Sequence, residues 1–146
     1  ENVKLFISHD PRASYDKATN ALTFKQVKNL KLRNIEVFWD KPAYDQWKAA
    51  LYLEDIQGLD LEGFQGRPAK PSSEEAALVL NRVEDAQILK CKAISGTAIF
   101  CEIRGERSRG IALVGNDLRQ AKIPFRLGPG VRAGEVRAQG NLTLEP

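Results

Sequence analysis

The chain has 146 residues, a length that suits one domain, and a formal net charge of +3 from 22 basic and 19 acidic residues. That small excess, with both signs mixed, is not the footprint of a nucleic-acid binder, and no apolar run approaches a membrane span. The two cysteines and one histidine show no metal-binding spacing, and no motif asks for a cofactor.

The chain starts at Glu1 without a leader and contains no Met, so a mature or excised piece of a longer reading frame is expected. The first predicted element is a short apolar strand, Val3-Lys4-Leu5-Phe6-Ile7, with no cap before it. It is expected to pair with upstream coils or with a second copy of the chain.

An eleven-residue pattern then repeats, Leu-x-Leu/Phe-x-x-Val/Ile-x-x-apolar-x-apolar. Its copies are Leu22, Phe24, Val27, Leu30, Leu32; then Leu51, Leu53, Ile56, Leu59, Leu61; then Leu78, Leu80, Val83, Ala86, Ile88. A degenerate fourth runs through Cys101, Ile103, Ser108, Ile111 and Leu113, with two extra residues near Gly105. Self-similarity at this period marks stacked units, none of which can bury its apolar face alone. Leu-x-Leu has a period of two, which is a strand signal.

A turn-former stands at one equivalent place in each copy: Asn29, Gly58, Asp85, Gly110. These residue types tolerate positive φ at a sharp bend. A second short strand follows, then a corner residue at Asn34, Gly63, Lys90 and Gly115. Behind each corner comes an inward slot, filled by Ile35, Phe64, Cys91 and Asn116. Short strands joined by tight corners describe an all-β parallel β-helix of about four to five coils, expected to be a segment of a longer one. The coils fall near residues 21–49, 50–76, 77–98 and 99–124 of a single domain, 1–146, with a closing segment at 125–146. Gly128-Pro129-Gly130 and the polar stretch after it read as a terminating loop.

Stacking one coil on the next, about 4.8 Å apart, sets Lys25 against Glu54, Lys31 against Asp60, Arg33 against Glu62 and Glu84 against Arg109. All four pairs are complementary, which supports the register. The long loops, 8–20, 38–48 and 66–75, leave one corner of successive coils, and the third coil has only 93–98 there. Loops stacked in this way build a wall beside a groove.

Residues 29–91, from Asn-Leu-Lys-Leu-Arg-Asn to Ala-Gln-Ile-Leu-Lys-Cys, resemble the C-terminal coils of bacterial polygalacturonase-like glycoside hydrolases, family 28. Residues 108–131 resemble the closing segment of the same proteins, and the likeness extends over about residues 20 to 145. It implies a right-handed, pectin-lyase-like β-helix, an extracellular or periplasmic location, and a parent enzyme that hydrolyses pectic polysaccharide with inversion. In that family aspartates act as acid and base in Asn-Thr-Asp and Asp-Asp motifs, beside Gly-His-Gly and Arg-Ile-Lys. None of the four motifs occurs here, so no catalytic residue is carried over.

Ser8-His9-Asp10 spells a hydrolase triad, but consecutive side chains on extended backbone diverge, so a polar loop is expected. Asp40 and Asp45 share a loop that could hold carboxyls at the spacing of an inverting pair, and Glu74 and Glu75 diverge; solvated loop charges account for all four. Trp39, Tyr44 and Trp47 suit a sugar platform, and Arg67 and Lys70 could meet uronate carboxylates of an acidic polysaccharide or oligosaccharide. The competing reading packs these aromatics as the small core of a long loop. Cys91 and Cys101 replace apolar core residues and are expected as buried thiols, with a disulfide as the alternative. Two functions remain open: the groove wall and closure of a glycoside hydrolase, and a non-catalytic structural or polysaccharide-binding β-solenoid.

Overall fold

In the computed structural model, which describes residues 1–8, 10, 12, 18–40 and 44–144, the first three copies of the pattern become long strands. They are β2 (Leu22–Arg33), β4 (Leu51–Glu62) and β6 (Ala76–Leu89), following the short β1 (Val3–Ile7). All three run parallel, with Leu22 opposite Leu51 and Leu51 opposite Leu78. The fourth copy splits into β8 (Thr97–Arg104) and β9 (Arg109–Val114), which both pair with β6. The two extra residues near Gly105 open the strand there.

After each corner the chain enters a second parallel sheet. Its members are β1, β3 (Ile35–Trp39), β5 (Gln65–Gly66), β7 (Lys92–Ala93), β10 (Asp117–Leu118) and β13 (Leu142–Thr143), side by side in that order. Every strand pairing recorded is parallel. The fold is a parallel β-helix.

The core lies between the sheets as stacked columns. Leu32, Leu61, Ile88 and Leu113 form one, joined by direct register at every step, and all four are buried. Val27, Ile56 and Val83 form another. Ser108 ends that second column, buried, and its hydroxyl finds two partners. It accepts from the Val83 N–H at 3.1 Å and donates to the Arg104 carbonyl at 2.7 Å. Each fully buried Leu or Ile contributes roughly 1.5–3 kcal/mol, so the columns dominate stability.

The bends are where the repeat placed them. Asn29, Gly58, Asp85 and Gly110 have φ of 55°, 85°, 63° and 63°. The corners Asn34, Gly63, Lys90 and Gly115 have φ of 56°, 74°, 53° and 65°. Gly63 is needed for space as well: a Cβ there would lie 2.6 Å from Asn34 Oδ1. A third left-handed column, Gln26, Asp55 and Arg82 at 57°, 53° and 53°, has only Asp55 among the residue types that announce a bend. Arg82 grips Asp55 through two hydrogen bonds, at 2.6 and 3.1 Å, which helps hold that bend. The Arg82 hydrogen bond pulls the Asp55 carboxyl below its ordinary range.

Of the outward pairs, Lys25–Glu54, Arg33–Glu62 and Arg109–Glu84 are ion pairs at 3.7, 3.9 and 3.3 Å. Lys31 and Asp60 stand opposite in register. Cys91 and Cys101 are free, buried thiols. Burial pushes the Cys91 thiol up to about 12 and raises Cys101 as well.

The C-terminal segment departs from the terminating loop read from its glycines. Strand β11 (Ala121–Leu127) pairs with β8, and β12 (Val136–Gln139) pairs with β9, so the stack continues by another pass. Backbone pairing does not require an apolar sequence, and a short 3₁₀ turn at Ala133–Glu135 absorbs the irregular stretch. An asparagine ladder braces this end. Asn116 is buried in its inward slot, accepts from the Cys91 N–H at 2.8 Å, and donates to the Ile88 carbonyl at 2.9 Å. Asn141 repeats the pattern one coil on, accepting from the Asn116 N–H and donating to the Leu113 carbonyl, both at 2.9 Å.

Candidate binding groove

Strand alternation gives the long strands an outer face as well as an inner one. Two outward rows cross the coils: Lys25, Glu54, Asn81, Arg104, and beside it Thr23, Tyr52, Val79, Glu102, Arg126. A small apolar cluster of Ala49, Ala76, Val79 and Ile99, with Tyr52 packed on it, seats the loops against this face.

The rows are tied into one polar network. Tyr52 Oη donates to Glu54 Oε1 at 2.8 Å, and Asn81 Nδ2 donates to both, at 3.0 and 3.2 Å. Arg82 and Lys25 approach the same carboxylate at 3.5 and 3.7 Å. The Arg104 guanidinium lies 6.0 Å over the Tyr52 ring, within cation–π reach, and is held by Glu102 at 2.7 Å. Arg126 binds the other oxygen of Glu102 and reaches the Glu74 carbonyl at 3.4 Å, joining the third loop to the network.

Charge placement follows from these contacts. Burial raises the Tyr52 phenol, and its hydrogen bond to Glu54 adds to that, while Asn81 opposes it. Burial also pushes Glu102 upward, but Arg126 and Arg104 together outweigh it and leave the carboxyl below its usual range. Tyr52 therefore stays a neutral donor, and Glu102 an anion between two guanidiniums.

Over this face the loops enclose a cleft of about 240 Å³. Lys25, Tyr52, Val79 and Arg104 make its floor; Thr19, Asn20, Lys48 and Glu75, one side chain or two from each loop, make its wall. The wall beside a groove is thus present. A larger hollow of about 600 Å³ runs along the bend column Asn29, Gly58, Asp85, Gly110. It is an open crease left by the bends, and its charges close on one another, as in Arg109–Glu84 and Gly110 N–H to Glu135 at 3.3 Å.

The residues singled out from sequence lie elsewhere. Trp39 and Trp47 are 7% and 4% exposed, with ring centres 5.4 Å apart, and Tyr44 meets Trp47 edge-on at 5.0 Å. Trp39 Nε1 donates to the Arg67 carbonyl at 2.9 Å. Arg67 donates in turn to the carbonyls of Pro68 and Ala69 at 2.9 Å and of Trp39 at 3.3 Å. Burial lowers the pKa of its guanidinium. These four residues form the packed centre of the loop wall. Lys70 stands outside, 3.3 Å from Asp45. None of the five lines the cleft over Tyr52, although the two indoles edge a hollow of about 310 Å³ near the N-terminal end.

His9 lies outside the described residues, so the Ser8-His9-Asp10 run is visible only at its ends. Ser8 Oγ donates to Asp40 at 2.6 Å, and Asp10 accepts from Arg12. Among the described residues, no group of three His, Cys, Asp or Glu side chains is placed to hold a metal, and no helix is long and apolar enough to cross a membrane.

No family model, curated protein or solved structure matches the chain. The groove therefore has to be read from its own chemistry. Tyr52, Asn81 and Arg104 could have been found from the repeat itself: Asn81 and Arg104 occupy outward slots in register with Lys25 and Glu54, Tyr52 stands in the neighbouring outward row with Thr23 and Val79, and only the loops overhead make a cleft there.

Proposed function

We propose that this chain is a polysaccharide-binding segment of a β-solenoid, and that its loop-walled cleft over Tyr52 holds an acidic oligosaccharide. One observation carries this reading: the three loops and the outer sheet face converge on a single polar hollow. A sugar hydroxyl both donates and accepts hydrogen bonds, so it fits a site with donors and acceptors intermixed. Thr19, Asn20 and Lys48 offer donors on the wall, and Glu75 and the Tyr52 hydroxyl offer acceptors. Lys25 and Lys48 are exposed cations suited to the carboxylates of a uronate chain.

The same geometry favours binding over hydrolysis. Glu54 is engaged by four donors, so it is a poor base for activating water. Membership in the polygalacturonase-like hydrolases, an extracellular or periplasmic site, and work as a groove wall beside catalytic coils are parts of the same proposal. They rest on the resemblance of residues 29–91 and 108–131.

The test is titration calorimetry of the 146-residue chain with oligogalacturonate and with a neutral oligosaccharide of equal length. The acidic ligand should bind, and Lys48→Ala and Tyr52→Ala should each weaken it at least tenfold. The buried indoles should leave tryptophan fluorescence nearly unchanged. Absence of binding up to millimolar ligand, or binding indifferent to both substitutions, would leave the chain a structural solenoid. Hydrolysis of oligogalacturonate above a buffer control would overturn the non-catalytic reading.

A further inference from the structure

The three cations that line the cleft over Tyr52 are held in different ways. Lys25 rests 3.7 Å from Glu54, whose carboxylate already serves other donors. Lys48 stands on the wall, and among the described residues no acid pairs with it. Each is a flexible point charge. Arg104 is fixed on two sides. Its Nε and Nη2 meet one oxygen of Glu102 at 2.8 and 2.7 Å, and its Cζ lies 6.0 Å over the Tyr52 ring. Glu102 is fixed in turn, since its other oxygen accepts from Arg126 Nε at 2.9 Å. Two guanidiniums thus share one carboxylate, and the group keeps an unmatched positive charge at the floor of the cleft. What is left of Arg104 is its end-on pair of donors, at Nη1 and the outer side of Nη2. Among the described residues nothing is bonded to Nη1, and the side chain is 40% exposed, so that pair is open to a ligand. Glu75 is the one acid on the cleft lining, and among the described residues no ion pair joins it to Arg104.

We propose that Arg104 reads a uronate carboxylate in this cleft through that end-on fork, and that Glu102 is the positioning residue that presents it. The inference rests on the acidic-oligosaccharide reading above. A planar fork matches the two oxygens of a carboxylate, whereas an ammonium supplies charge without direction. Because Glu102 and Tyr52 hold the fork before a ligand arrives, little side-chain freedom is lost on binding. Lys25 lies three register steps from Arg104 in the same outward row, about 14 Å between backbones, and lines the same cleft. The ligand therefore lies across the strands, with one uronate at Arg104 and the chain running toward Lys25.

Calorimetry of the 146-residue chain with oligogalacturonate separates the fork from its charge. Arg104→Lys keeps the charge and should weaken binding at least tenfold. Glu102→Gln removes an acid from the floor, so charge alone would tighten binding; the lost pin should instead weaken it at least threefold. A second measurement needs no variant to fold. In the wild-type chain with nitrogen-15-labelled arginine, the ligand should shift the Arg104 side-chain NMR signals and leave in place those of Arg119, which Asp117 of β10 holds. Binding that Arg104→Lys leaves intact, tighter binding by Glu102→Gln, or unmoved Arg104 signals in a chain that binds would each overturn the inference and leave the polysaccharide reading standing. No binding by the wild-type chain would overturn both.

Discussion

The two corners of each coil solve the same problem with different forces. On one side the chain turns on a single residue: Asn34, Gly63, Lys90 or Gly115, all with positive φ. On the other it turns through a long loop, and the loops pack down through Trp39, Trp47 and Ala69, which extend the main core, and are stapled by Arg67. A one-residue corner is written in the residue type that tolerates the backbone. A loop corner is written in contacts between loops from successive coils, as in Trp39 to Arg67. The body is therefore regular and stiff, and the variable wall is where a site can be built.

The contrast can be broken most forcefully in the body. Leu61→Ala empties a slot in a column that is closed on both sides, and should cost about 3 kcal/mol in urea unfolding. A loss under 1 kcal/mol would mean the columns are not the source of rigidity.

Asn116→Ala should come next, at about 2–3 kcal/mol, because it strips partners from the Cys91 N–H and the Ile88 carbonyl, both buried. Thermal unfolding would measure it; an unchanged midpoint would show that water replaces the ladder.

Arg67→Ala should be smaller and local, about 1–2 kcal/mol, since three carbonyls lose a donor at a half-buried site. Hydrogen exchange should quicken around residues 38–48 and 66–75 while β4 amides keep their protection. Equal loss in β4 would merge wall and body into one cooperative unit.

The smallest effect is a pH slope. The folded Cys91 thiol is raised to about 12, while an unfolded thiol ionises near about 8.5. The raised value means its contribution is intact below the unfolded pKa and is lost as pH climbs toward 12, because only the unfolded chain releases the proton. Cys91→Ala should therefore flatten the fall of the urea midpoint between pH 8.5 and 10.5. Parallel curves for the two proteins would count against burial as the cause.

Much of this was legible in the chain. The period-two runs, the spacing of Asn29, Gly58, Asp85 and Gly110, and the complementary pairs such as Lys25–Glu54 specify the coils, because each coil meets only its neighbours and repeats their register. The third bend was not legible: Gln26, Asp55 and Arg82 all adopt positive φ, but only Asp55 is a residue type that announces it, and the Arg82–Asp55 pair helps hold it.

The site divides along the same line. Sequence by itself determined that three loops would rise from one corner and that an outward row would carry Lys25, Glu54, Asn81 and Arg104 past one another. Only the tertiary structure decided which side chains face the cleft. The tryptophans, large and apolar, gained more by burial between loops than by exposure, and Arg67 turned inward to satisfy half-buried loop carbonyls. Tyr52, unremarkable in its strand, became the floor because Thr19, Lys48 and Glu75, distant in sequence, close over it.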